Sequence, residues 1–318
     1  MSEAEVDITT RLWTALGKHY PHWEVNSMGI AERGLEALIF EVQSNRHGAL
    51  AIRVPFMRIA KNPNDPEVNY RHVLQKEAAI YELLNQKQFG AAPRYFGLVS
   101  DNHIDFLATR FVSHDDSTPN SYSLGQILRQ LHDIDLPETM PYILIGSDFA
   151  EHICRRLDQR MSFIRNWSDK VLPLPDRSDV LRALAPVSSR RSLLHMDLRP
   201  ENVLTCRGAI RSLIDWSNSA IGHPAVEFAR LREYGLLNDQ VLKGYACNPL
   251  AQVKKATELI LRLDTAVMLG NCIFVRITKC YGSKETTSTY RNVTTNIGEG
   301  SLKMSRASLS RFFIIQIQ

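Results

Sequence analysis

The sequence predicts an α+β protein in two lobes: a small antiparallel sheet with a helix, followed by a mainly helical half. Three observations lead there. Strand-like runs crowd into the part before about residue 113, and apolar residues at helical spacing dominate after it. Between Leu193 and Trp216, the stretch LLHMDLRPENVLTCRGAIRSLIDW sets a His, Asp, Arg, Glu and Asn cluster between two apolar runs. A short apolar run bounded by turn residues reads as a buried strand, so the polar cluster is expected to be a loop between strands, a natural place for chemistry.

Residues up to about Tyr20 read as an N-terminal helix ending near HYPHW. WEVNSMGIAERGLEALIFEVQSNRHGALAIRVP then supplies three strand-like runs, with breaks expected over Gly29 to Gly34 and at SNRHG. In YRHVLQKEAAIYELLNQ, Val73, Leu74, Ile80, Tyr81 and Leu84 recur at helical spacing. Glu77 stands midway between Val73 and Tyr81, so its carboxylate falls within the apolar face. Once buried, it needs a cation or it takes up a proton. PRYFGLVSDNHIDFLATRFV adds two strands around a turn at Ser100 to His103, and SHDDSTPNSY reads as a polar linker. Leu124, Ile127, Leu128, Leu131 and Ile134 then mark an amphipathic helix. Helical spacing persists through AQVKKATELILRLDTAVML, whereas SKETTSTYRNVTTNIGEGS is polar and β-branched without a helical stripe. The expected organisation is residues 1–112 for the N-terminal helix and small lobe, 113–275 for the helical lobe with the polar loop, and 276–318 for an atypical basic tail, disordered or a separate addition.

Composition narrows the function classes. Hydrophobic residues at 44% and charged residues at 23% describe an ordinary soluble globular chain. The net charge of +4 is a property of the tail, because from Arg276 onward seven basic residues stand against two acidic ones. It is therefore not read as a nucleic-acid footprint. No basic segment followed by an apolar stretch opens the chain, and no run approaches a membrane span, so no membrane partner is expected. Five scattered cysteines without a C-x-x-C pair suit reduced thiols in a cytoplasmic protein.

HMDLRPENVL resembles the H-x-D-x-x-x-x-N catalytic loop of the protein kinase-like fold, in the form used by the aminoglycoside phosphotransferase and choline kinase-like family. LIDW resembles that family's metal-binding strand end, with Asp215 following Asp197 by 18 residues. LGQILRQLHDI and IGHPAVEFARL are similar to two further family segments, so the likeness covers about residues 24 to 235. It implies a bilobal protein kinase-like fold with ATP in the cleft between the lobes.

The chemistry suits the residue types. Phosphoryl transfer to an alcohol needs a carboxylate at the acceptor hydroxyl, a part the resemblance gives to Asp197. Mg2+ needs oxygen ligands, which Asn202 and Asp215 would supply. His195 belongs to the same catalytic motif and is expected to pack and bond the loop backbone rather than touch substrate. In the small lobe the resemblance pairs Arg53, where kinases usually carry Lys, with Glu77. A guanidinium binds carboxylates and phosphates in a planar fork, so Arg53 can neutralise Glu77 and reach the nucleotide. The plainer alternative is an edge-strand arginine beside a snorkelling glutamate. Gly29 and Gly34 do not form a G-x-G-x-x-G; N–H groups near Gly34 would cover phosphates, or Gly34 marks an ordinary hairpin turn. LATRFV resembles the connection between lobes, where main-chain groups near Arg110 and Phe111 would bind adenine. Glu227 stands where the family usually has Asp, in a position expected to brace the catalytic loop from beneath.

The leading reading is an ATP- and Mg2+-dependent kinase acting on a hydroxyl of a small-molecule acceptor. FAEHICRRLDQRMSFIRNW, with Arg155, Arg156, Arg160 and Arg165, suits an anionic or neutral acceptor better than a polycation, although the plainer and preferred reading of those arginines is a solvated helix face. A protein kinase is the second reading, against which the short interval between Asp215 and Glu227 leaves no open docking platform. A non-catalytic pseudokinase that binds nucleotide or acts as a scaffold is the third. No sequence feature names a protein partner.

Overall fold

The computed structural model describes residues 2–34, 36–61, 67–115, 117–165, 174–188 and 191–281. Helix α1 (Glu3–His19) starts at a capping box, in which Ser2 Oγ accepts from Glu5 N–H and Glu5 Oε2 accepts from Ser2 N–H. Strands β1 (Val25–Arg33), β2 (Ala37–Ser44) and β3 (Gly48–Pro55) follow, then the two-residue pair β4 (Ile59–Ala60) and β5 (Val68–Asn69), helix α2 (Tyr70–Gln86), β6 (Tyr95–Ser100) and β7 (Asp105–Arg110). The main sheet is antiparallel in the order β1-β2-β3-β7-β6. The expected break over Gly29 to Gly34 is narrower than its sequence suggests. Strand β1 continues through Gly29, with a register shift between Ile30 and Glu32, and the turn falls after Arg33. A bulge absorbs the irregularity without ending the strand.

Alternation along β3 sorts its side chains between two environments. Leu50, Ile52 and Val54 join Leu38, Phe40 and Val42 of β2 and pack beneath Ile8, Leu12 and Leu16 of α1. Arg53, on the opposite face, points toward α2. Asn69 caps the start of α2 by accepting from the N–H groups of Arg71 and His72. Leu74, Ile80 and Leu84 of α2 belong to the core of the large lobe, so this helix lies between the halves.

The large lobe contains α3 (Ser121–His132), α4 (Ser147–Arg165), α5 (Arg177–Ser188), β8 (Ser192–Leu194), β9 (Val203–Cys206), β10 (Ala209–Leu213), β11 (Ala220–Gly222), α6 (Ala225–Glu233), α7 (Asp239–Tyr245) and α8 (Lys255–Tyr281). The expected linker docks rather than floats: Asp115 N–H donates to Thr205 O at 2.8 Å on β9. Helix α8 carries regular structure past residue 275, and the remaining tail, from 282, lies outside the described residues. Among the described residues, no helix is long and apolar enough to cross a membrane.

Helices α3 and α7 touch backbone to backbone. A Cβ at Gly125 would stand 2.2 Å from Val241 O, and one at Gly244 would stand 2.0 Å from Tyr122 O. Gly125→Ala must therefore push α7 away, and it is expected to destabilise the protein by about 1–3 kcal/mol. A melting midpoint lowered by several degrees, measured by calorimetry, checks this; an unchanged midpoint would contradict the close approach.

Candidate active site

Two nested hairpins bring the polar loops together. Strand β8 pairs with β11, and between them in sequence β9 pairs with β10. The loop from β8 to β9 carries His195, Asp197 and Asn202, and the loop from β10 to β11 carries Asp215. The expected loop between strands is present, although its flanking strands belong to different pairs. His195 joins the two loops: Nε2 donates to Ile214 O at 2.9 Å, and Nδ1 accepts from Asp197 N–H at 3.3 Å. Burial holds its pKa below the ordinary value, so the ring is a neutral brace, packed 4.4 Å from the Trp216 ring. Met196 and Asp215 both adopt left-handed backbone, with φ of 69° and 62°. Strained non-glycine residues of this kind concentrate at functional sites.

Glu227 braces the loop from β8 to β9 despite its extra methylene. Its carboxylate accepts from His195 N–H at 2.6 Å and Met196 N–H at 2.8 Å. Burial works against its charge, but His132, 3.6 Å away, and His195 hold its pKa below the ordinary value.

Asp197 is buried and ringed by donors: Arg199 through Nε and Nη2, Tyr234 through its hydroxyl, and Asn202 through Nδ2. Asn202 Nδ2 also donates to Asp197 O at 2.8 Å. The Asn202 amide nitrogen is thus committed, which leaves its oxygen as the atom for a cation. Asp215 accepts from Arg53 at Oδ1, and its side chain is 30% exposed. Burial opposes its ionisation, yet the Arg53 guanidinium and the Ser217 bond hold its pKa well below the usual carboxylate range. One amide oxygen and one ionised carboxylate form a hard-oxygen donor set of the kind Mg2+ takes, with water and phosphate completing it.

Arg53 Nη1 lies 2.9 Å from both Glu77 Oε1 and Asp215 Oδ1. It is therefore neither an edge-strand arginine nor a partner of Glu77 alone. Lys76, beside Glu77, donates to the main-chain oxygen of Ser217 and ties α2 to the Asp215 loop.

A model of the phosphotransferase enzyme family matches residues 31–249, well over half of the chain. The chain belongs to that family. Comparison with curated proteins by sequence finds no match. Solved structures share the fold: a choline/ethanolamine kinase family protein from Mesorhizobium loti superposes with TM-score 0.55 at 14% identity, covering 97% of this chain and 95% of that one. ADP-bound aminoglycoside phosphotransferase APH(2'')-Ib gives 0.51 at 15% identity, covering 96% of each chain. The GDP complex of aminoglycoside 2'-phosphotransferase-IIIa gives 0.53 at 18% identity, covering 81% of this chain and 88% of that one.

Other expected positions of this phosphotransferase lie less simply. Gly34 sits in the turn after β1, and its N–H donates to Ala37 O at 3.0 Å, so that group is committed to the hairpin. The N–H groups of Arg110 and Phe111 are likewise taken, by Arg94 O and Ala49 O. The arginines of α4 divide between two environments. Arg156 and Arg160 are buried against Asp264 of α8, while Arg155 and Arg165 are exposed, as a solvated face would have them. Arg199, Tyr234 and Lys76 had no role in the sequence reading. Arg199 stood within the quoted motif, two residues after Asp197, whereas the other two become visible only when the chain folds.

One guanidinium shared by two carboxylates leaves Glu77 undercompensated, and burial pushes it up to about 7. The folded state then holds a proton that the unfolded chain has lost, so this group's contribution to stability falls as pH rises from the ordinary carboxylate value toward 7. Relative to Glu77→Gln, the wild type is expected to lose on the order of 1–3 kcal/mol between pH 5 and 8. Denaturant titrations of both proteins across that range check it, and parallel profiles would contradict it.

Proposed function

We propose that this phosphotransferase moves the γ-phosphoryl group of ATP, with Mg2+, to a hydroxyl of a small molecule. The observation that carries the reading is the meeting of Asp197, Asn202 and Asp215 at the ends of two nested hairpins, with Arg53 bonded to Asp215. Asp197 orients the acceptor hydroxyl and takes its proton as the oxygen bonds to the γ-phosphorus. The bond to the bridging oxygen breaks, and its electron pair leaves on ADP. Such transfers depend on positioning and charge more than on covalent help, and the braced loop provides that positioning. Mg2+, held by Asn202 and Asp215, would offset the charge of the phosphate oxygens. Arg53 would reach the same phosphates. With the Arg110 and Phe111 N–H groups bonded in the sheet, adenine is read by other main-chain groups of the connection between lobes.

Relatives of this fold solved with ADP, and with streptomycin and ATP together, support a nucleotide donor and a small-molecule acceptor. Residues 219–231 are buried throughout, filled by β11 and α6, which disfavours a protein substrate because no open segment follows Asp215.

Asp197→Asn is expected to keep Mg-nucleotide binding by calorimetry while transfer falls about 100-fold to 10 000-fold. Asp215→Asn is expected to weaken Mg-nucleotide binding itself and to shrink the nucleotide's thermal shift. Equal turnover by Asp197→Asn and the wild type would overturn the assignment.

A further inference from the structure

A carboxylate offers about four lone-pair directions. At Asp197 four donors occupy them. Arg199 Nε lies 2.9 Å from Oδ1 and its Nη2 3.0 Å from Oδ2. Tyr234 OH lies 3.1 Å from Oδ1, and Asn202 Nδ2 3.2 Å from Oδ2. An acceptor hydroxyl can reach this carboxylate only when a donor leaves. Asn202 is fixed in the buried turn by its second bond to Asp197 O, and Tyr234 closes helix α6 as its C-cap. Arg199 is free to go, because its side chain is 42% exposed.

Withdrawing a bidentate guanidinium from a carboxylate is costly unless the guanidinium finds another anion. Resting on the kinase reading above, we propose that Arg199 is the specificity-determining residue and that the acceptor is a hydroxyl compound bearing a carboxylate or phosphate beside that hydroxyl. The acceptor's anionic group draws Arg199 off Asp197, and its hydroxyl takes the vacated position. A cationic acceptor would instead compete with Arg199 for the same carboxylate.

Guanidinium groups and carboxylates both surround the loop. Arg230 Nη1 donates to Met196 O directly beneath it. Arg156, Arg160 and Arg230 converge on Asp264, so among the described residues three buried guanidinium groups share one carboxylate. Glu227 beneath the loop and exposed Glu201 within it carry the opposite charge, so the preference for an anion rests on Arg199 itself.

The test is a set of matched acceptors with Mg-ATP: hydroxy acids beside their amides, polyol phosphates beside the parent polyols, and an aminoglycoside. Transfer is followed by ADP release and by phosphorus NMR of the product, for wild type, Arg199→Gln and Arg199→Lys. The anionic members should exceed their neutral counterparts by about tenfold or more in kcat/KM, and whichever arm does so, carboxylate or phosphate, identifies the group. Arg199→Gln should bring the ratio near unity, mainly by raising the acceptor KM, and should increase ADP release without acceptor because Asp197 is uncovered. Arg199→Lys should retain part of the preference.

Equal use of neutral or cationic members would overturn the inference. So would a preference that survives Arg199→Gln, or a raised KM for ATP with every acceptor, which would assign Arg199 to the nucleotide phosphates. Transfer to no member of the set by protein that binds Mg-ADP overturns the inference and leaves the nucleotide site standing. Failure of folded protein to bind Mg-ADP removes both.

Discussion

The guanidinium of Arg53 holds two carboxylates from different parts of the chain, Glu77 on α2 and Asp215 on the loop between β10 and β11. The sheet, the helix and the proposed metal-binding loop thereby meet at a single cation. Glu77 is almost fully enclosed, and a buried carboxylate without a partner would be strongly destabilising. The arrangement is asymmetric because Asp215 keeps some access to water while Glu77 has almost none. One positive charge therefore stabilises ionised Asp215 well and Glu77 incompletely. Lys76 adds a second tie between α2 and the same loop, so the helix and the loop are positioned together.

The loop from β8 to β9 rests on a different support. Glu227 accepts the N–H groups of His195 and Met196, and His195 in turn bonds Ile214 O across to the neighbouring loop. Arg230 takes Met196 O from the same helix, so α6 supplies both an acceptor and a donor to a two-residue stretch. Met196 is held at positive φ between them. Such strain persists only where neighbouring bonds over-determine the backbone, as they do here. The consequence for function is that Asp197 follows a fixed peptide and its carboxylate has little freedom to wander.

At the loop from β8 to β9, Arg199 covers the carboxylate of Asp197. Behind the loop, the guanidinium groups of Arg156, Arg160 and Arg230 converge on Asp264, while Glu227 sits beneath the loop and Glu201 within it. The fold is shared with enzymes of several acceptors, and fold alone does not choose among them. Side chains at the loop do, and here the one that forks across Asp197 is Arg199, with its side chain 42% exposed.

Much of this was legible in the linear sequence. Helical and strand periodicity located α1, α2, α3 and the five strands of the main sheet, because apolar spacing follows directly from helix and strand geometry. The motif HMDLRPENVL and the later Asp215 marked the candidate site, since spacing within a loop survives folding as a local property. The position of Glu77 in an apolar face demanded a cation before any partner was visible. What the sequence could not specify were pairings between residues distant along the chain. Arg53 meeting Asp215 spans 162 residues, and Arg156 meeting Asp264 spans 108. A run of charges reads Arg156 and Arg160 as part of a solvated helix face, and the packing of α4 against α8 buries them. Tyr234 reaches Asp197 because α6 runs beneath the loop. Residue type and spacing determined which groups were present for chemistry; the tertiary structure decided which charges share partners, because burial and electrostatic compensation depend on distance in space and not on distance along the chain.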